Sequence, residues 1–299
     1  MKVESRTSAF VIAVLASCLW GMSGTVAQIL FQRYSFPPLG LITLRLTIAS
    51  AFLLLWFRPK WPKQDSKRML LFGIAGILPS QLFYFLAISY SNAAVATLLQ
   101  ILFLPIVVVY EVLVHVYRFT FRHFAAIALA MVGTFLLVVN GMTLGLHITL
   151  LSFVFGIACA FGAAYYTLAA RALTRRWGSW TTTTWGFVIA GLLSAPLGTE
   201  SLLKTRFSVT IALLVIFVAL IGTLLTYGLY VMSLRRLTGT EASVAATGEP
   251  ITASIASYVV LGTALSTFQY LGGGLIIVAI VLLRSVIRGR SESTERKSV

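Results

Sequence analysis

Apolar runs long enough to cross a membrane alternate with short polar turns along almost the whole chain. A helix rises ~1.5 Å per residue and the hydrocarbon layer is ~30 Å thick, so one span needs ~20 largely apolar residues. Measured against that length, the pattern predicts ten helices, at about 9–32, 38–57, 69–90, 93–115, 121–140, 148–170, 180–198, 208–234, 241–262 and 265–287. The shortest separations are those where only Ser89-Tyr-Ser-Asn92 and Gly262-Thr-Ala-Leu-Ser266 interrupt the apolar run. The expected fold is therefore all-α and polytopic, with the lipid bilayer as its surroundings.

Charge placement supports the same segmentation. With the N-terminus in the cytoplasm, 19 of the 23 basic residues fall on inside turns and termini, including Arg58, Lys60, Arg171, Arg235 and Arg236. Only Arg33, Lys204 and Arg206 fall outside, and Arg45 lies within a span. The positive-inside rule produces this asymmetry, and adding or removing one span would destroy it. Both termini are thus expected in the cytoplasm. Composition agrees, with 59% hydrophobic residues and only 10% charged. A soluble domain carries roughly a quarter charged residues. The net charge of +15 does not call for nucleic acid as a partner, because the basic residues are spread over turns with no long basic run.

Other features narrow the picture further. The stretch from Ala9 to Phe31 is too long for a signal-peptide core and has no convincing cleavage site. Residues 291–299 are polar and read as a disordered cytoplasmic tail. Cys18 and Cys159 both lie inside spans and read as small packing residues, with no disulfide expected. There is no Cys-His cluster, P-loop or Ser-His-Asp ordering, so no metal, cofactor or enzymatic activity is expected.

The chain also repeats itself. Thr97-Leu-Leu-Gln-Ile-Leu-Phe-Leu-Pro105-Ile answers Ala242-Ser-Val-Ala-Ala-Thr-Gly-Glu-Pro250-Ile, and Cys18-Leu-Trp-Gly21 answers Cys159-Ala-Phe-Gly162. The offsets, 145 and 141, need only a small insertion between them. Residues 1–143 and 144–290 then form two repeats of five spans each. An odd number of spans inserts the second copy upside down, a recurring plan among alternating-access transporters. Internal duplication supplies both halves, so a monomer is expected.

On these residues the chain resembles the ten-helix EamA type of the drug/metabolite transporter superfamily. The resemblance rests on Trp20-Gly21, Arg45, the approach to Pro105, Ala242 to Glu249-Pro250, and Gly272-Gly-Gly274, over about residues 9–287. Where that family often has Gly-Glu after its fourth and ninth helices, this chain has Tyr117-Arg118 and Gly262-Thr263. The resemblance implies export of small metabolites, amino acids or drugs across a bacterial inner membrane.

Ionisable residues are costly in hydrocarbon, so Arg45, Glu111, His115 and Glu249 are the first candidates for chemistry. Glu249 precedes Pro250 and could hold a substrate ammonium or a proton; Glu111 is a second coupling candidate. Arg45 suits a substrate carboxylate, but its place about two turns from the end of its span favours snorkelling to the interface. His115, beside basic residues at a helix end, reads as interfacial. Thr97, Gln100 and Glu111 share a helical stripe, with Glu249 and Thr252 on its counterpart in the second repeat. Trp20 and Gly24 are mirrored by Phe161 and Tyr165; Gln81 with Tyr84, and Thr223 with Tyr227 and Tyr230, form two further stripes. An aromatic and hydroxyl lining suits a small organic solute.

The sequence thus points to a secondary transporter exporting small organic metabolites, with amino acids or related compounds as the leading substrates and protons as a possible coupling ion. Proton-coupled multidrug efflux is the alternative. Sugar-phosphate exchange would want more cavity cations than Arg45, and a passive channel or membrane-embedded enzyme fits the duplication less well.

Overall fold

The computed structural model describes residues 5–91, 93–114, 120–139, 149–261 and 266–295, and the regular elements among them are all helical. Helix α1 (Arg6–Tyr34) starts at Ser5, whose Oγ accepts from the Ser8 N–H at 3.0 Å. Helix α2 (Pro38–Phe57) opens on proline, which is tolerated there because first-turn N–H groups have no intrahelical acceptor. Helix α3 (Ser66–Leu71) passes through a π-helical segment, Phe72–Ile77, into α4 (Leu78–Ser89). Then come α5 (Ala93–Gln100), α6 (Phe103–Leu113) and α7 (Phe121–Val139).

The second half follows the same order. Helices α8 (Leu150–Trp177) and α9 (Ser179–Leu203) precede α10 (Val209–Ala219), which runs through a second π segment, Leu220–Leu225, into α11 (Thr226–Ser233). Two pieces, α12 (Gly239–Ala246) and α13 (Glu249–Leu261), correspond to α5 and α6, and α14 (Thr267–Glu295) ends the described chain. Both broken pairs are interrupted before their prolines, at Ile101–Leu102 and at Thr247–Gly248. Pro105 and Pro250 then sit in the first turn of the following helix, where a missing N–H costs no hydrogen bond.

Among the described residues, seven helical stretches are long and apolar enough to cross a membrane, and Phe121–Leu136 and Thr267–Leu283 are shorter apolar helices. The expected span at 241–262 is divided between α12 and α13. Helix α14 continues through Glu295, into the polar stretch that the composition reads as disordered. His115, Tyr117, Arg118, Gly262 and Thr263 lie outside the described residues.

Helix α2 packs along α9 and α7 along α14, while α1 lies beside α11 and α13 and α8 beside α4 and α5. Small residues allow the closest approaches. A Cβ on Gly21 would collide with Thr252 and the Glu249 carbonyl of α13, and one on Gly162 with Pro79 and Ser80 of α4. Large apolar side chains such as Leu55, Leu192, Leu203 and Val209 face outward, as the surface of a membrane protein requires. The basic turns around Lys60 and Arg176 meet. There Trp185 Nε1 donates to the Lys60 carbonyl at 3.2 Å, and Trp177 Nε1 to Asp65 at 2.8 Å. Arg176 pairs with the same Asp65 carboxylate at 2.7 Å.

Candidate functional site

A cavity lies among α1, α2, α4, α5, α11 and α13. Its walls combine Trp20, Ser23 and Gly24 with Arg45; Ser80, Gln81, Tyr84 and Phe85 with Gln100; and Tyr227 with Glu249. Seven residues that the stripes nominate therefore meet in one place: Trp20, Gly24, Gln81, Tyr84, Gln100, Tyr227 and Glu249.

Aromatic rings form one wall. The Trp20 ring lies 5.0 Å from both Tyr227 and Tyr230, and Tyr166 lies 5.4 Å from Tyr227. Tyr230 is buried behind this wall, its hydroxyl sharing a hydrogen bond with Thr167 at 3.2 Å. It supports the cavity without lining it. Thr97 has the same kind of role, with its hydroxyl 3.1 Å from that of Tyr84. The Thr252 hydroxyl donates to the Glu249 carbonyl at 3.0 Å, beside the close approach at Gly21.

Arg45 corrects the expectation of snorkelling. It is only 5% exposed and lines the cavity. Its Nε donates to Thr223 Oγ1 at 2.8 Å, and its guanidinium carbon lies 5.0 Å from the Phe85 ring centre. Thr223 is held in turn by donating to the Val218 carbonyl five residues back, at 2.8 Å. That wider turn belongs to the π segment, which rotates Thr223 toward Arg45. Distance along a span failed as a guide because α2 packs against α9, α10 and α4, and Arg45 turns into the cavity between the helices.

Glu249 opens α13 immediately after the break, and its carboxylate makes no hydrogen bond or ion pair with the described residues. A helix N-terminus favours negative charge there. Two amide atoms on the walls, Gln81 Nε2 and Gln100 Oε1, are buried without partners. Such groups are rare in proteins because each forfeits its hydration. The cavity thus presents a cation and a carboxylate on an aromatic frame.

Glu111 is elsewhere. It is 0% exposed, and it accepts from the N–H groups of Gly239 at 2.7 Å and Thr240 at 2.9 Å, capping α12. Arg171 approaches it at 3.4 Å. The stripe from Gln100 to Glu111 assumed one continuous helix, and the turn at Ile101–Leu102 breaks its register. Glu241 closes a capping box with Thr238 and pairs with Arg6. Phe161 and Tyr165 do not reach the cavity. They are 59% and 37% exposed on the outer surface, while Tyr166, one position on, turns inward. Carrying the 141 offset along α8 therefore selects the outer face of this helix.

Ser23, Ser80 and Phe85 are wall residues that the stripes omit. Ser23 follows Trp20 by three residues and Phe85 follows Gln81 by four, so helical spacing contained a signal for both. Cys18 and Cys159 are free thiols, as expected, with Cys159 donating to the Ser80 carbonyl at 3.3 Å.

A model of the EamA-like transporter family matches residues 7–139 and again residues 150–285. The chain belongs to that family. The double match covers both halves and joins it to the drug/metabolite transporter superfamily. It is 31% identical to the uncharacterized inner membrane transporter YicL of Salmonella typhimurium over 290 residues, covering 94% of this chain and 96% of that protein. It is 26% identical to the threonine/homoserine exporter RhtA of Escherichia coli, covering 95% and 93% respectively. The uncharacterized transporter YwfM of Bacillus subtilis is 27% identical, covering 92% and 93%. One solved crystal structure superposes with a TM-score of 0.75 at 19% identity, over 95% of this chain and 99% of the other. That likeness concerns the fold alone. This EamA-like chain is a multi-pass membrane transporter.

Proposed function

We propose that this transporter exports small zwitterionic metabolites, amino acids or close relatives, across the bacterial inner membrane by alternating access. The observation that carries the reading is the pair Arg45 and Glu249. They are opposite charges on one cavity, and they form no ion pair with each other. In a membrane interior each needs a counter-charge, and a zwitterion supplies both. Its carboxylate would meet the Arg45 guanidinium in the two-pronged geometry that arginine favours, and its ammonium would meet Glu249 and Gln100. The Trp20 and Tyr227 rings would then contact the side chain.

Ten spans in two inverted five-helix repeats, with both termini in the cytoplasm, give this site its setting near the midplane, where the halves rock about it. The meeting of the basic turns around Lys60 and Arg176 supports that orientation. The name of RhtA supports the substrate class. Multidrug cation efflux is the rival, and Arg45 in the wall weighs against it, since a cationic cargo would be repelled.

The test is uptake of radiolabelled neutral and aromatic amino acids into proteoliposomes, with and without an imposed pH gradient. Saturable uptake that weakens in Glu249→Gln, Gln100→Ala and Tyr227→Ala is expected, and gradient dependence that disappears in Glu249→Gln would assign the proton to Glu249. Movement of a lipophilic cation with no amino-acid flux would replace this reading with multidrug efflux. Non-saturable flux without counter-transport would indicate a pore.

A further inference from the structure

Gly24 is the one glycine among the described residues that wall the central cavity, and it lies well inside α1. Glycine is the poorest helix former after proline, because it loses the most backbone freedom on folding. No turn requires it here. Gly24 is helical, and the glycine with positive φ among the described residues is Gly178. A glycine at this position needs another reason.

Close helix contact is the usual one, and α1 makes such contacts through its neighbours. A Cβ on Gly21 would collide with Thr252 and the backbone of α13, while Ser23 fills the space against Gly222 of the second π segment. These contacts dock α1 without Gly24. A Cβ built on Gly24 would meet the Tyr84 hydroxyl at 3.7 Å, an ordinary contact distance, and no other described neighbour within 4 Å. What the missing side chain leaves is room inside the cavity, between α1 and Tyr84. The far wall is fixed. The Tyr84 hydroxyl shares its hydrogen bond with Thr97 at 3.1 Å, and its ring packs 5.6 Å from that of Phe85. Swinging the tyrosine away to recover lost room would break that bond.

We infer that Gly24 sets the size limit of the cargo's side chain. The inference rests on the zwitterion reading, in which Arg45 and Glu249 hold the charged end and Trp20 contacts the side chain. Gly24 is one turn on from Trp20, on the same face of α1. A long or aromatic side chain lying along Trp20 extends into the gap opposite Tyr84. One the size of alanine ends before it. Methyl-sized changes in a fitted pocket alter discrimination by roughly tenfold or more.

The experiment measures initial-rate uptake of radiolabelled phenylalanine and alanine into proteoliposomes holding the full-length protein. Its readout is the ratio of the two kcat/KM values. That ratio should fall about tenfold in Gly24→Ala and further in Gly24→Val. The melting temperature of Gly24→Ala in detergent should hold or rise, since alanine is the better helix former and meets no clash. Gly191→Ala on α9 adds its methyl outside the cavity walls, 3.6 Å from Leu46, and should leave the ratio unchanged. An unchanged ratio in both Gly24 variants overturns the inference and leaves amino-acid export standing. A lower melting temperature with equal loss of both substrates also overturns it, making Gly24 a packing residue. If the protein moves organic cations and no amino acid, the zwitterion reading fails. The size limit is then read from tetraphenylphosphonium against tetraethylammonium in the same variants, where the same fall supports it and an unchanged ratio overturns it.

Discussion

Glu111 and Glu249 invite comparison, because each belongs to the second piece of a broken helix, one in each half of the chain. Glu111 is saturated: two backbone N–H groups and Arg171 surround its carboxylate. Glu249 lines the cavity, and its carboxylate forms no hydrogen bond or salt bridge with the described residues. The same residue type is therefore a structural rivet in one place and an unspent charge in the other. What separates them is the supply of donors. The α12 N-terminus points at Glu111, whereas the wall facing Glu249 presents aromatic rings and an arginine already engaged through Nε. A buried acid marks a site only when the protein leaves it unanswered.

The strongest way to break this comparison is to remove each carboxylate in turn. Glu111→Ala should strand the α12 N–H groups and the Arg171 charge, costing about 3–5 kcal/mol. Yield and melting temperature in detergent should both collapse. Glu249→Gln should fold almost normally and lose transport, by roughly tenfold or more at low substrate. Similar destabilisation in the two variants would erase the distinction.

Arg45→Lys sharpens the contrast from the other side of the cavity. It keeps the charge but loses the forked donor geometry and the contact with Phe85, so KM should rise roughly tenfold with a smaller change in maximal rate. A variant that matched the parent in initial-rate uptake would remove Arg45 from substrate recognition. A smaller effect is expected from Gln81→Leu. Its Nε2 has no partner to lose, so stability should hold or rise slightly while apparent affinity weakens by about threefold. The least effect belongs to Phe161→Ala and Tyr165→Ala on the outer face, where uptake should stay within about twofold. Loss of transport in either would mean that the α8 surface meets substrate in another conformation.

The amino-acid pattern by itself determined a great deal. Apolar runs of span length dictate helices, because no other arrangement of a single chain satisfies the backbone in lipid except a closed barrel. The duplicated stretches before Pro105 and Pro250 marked the two broken helices, and Trp20, Gln81, Tyr84 and Glu249 were visible as wall residues through helical spacing. Spacing works within one unbroken helix and fails across a break, which is why Glu111 was grouped with Gln100. Transfer between repeats assumes that matched helices bury matched faces, and on α8 they do not: the offset picks Tyr165, whereas Tyr166 faces inward.

Only the tertiary structure decided which charges are answered. The partners of Glu111 lie 60 and 128 positions away in the chain, at Arg171 and Gly239, and Thr223 lies 178 positions from Arg45. No local pattern encodes such pairs. Helices can be read from the residues that form them, because a backbone in lipid must satisfy itself locally. A binding site depends on the donors and acceptors left over after distant segments have met, and that remainder exists only in three dimensions.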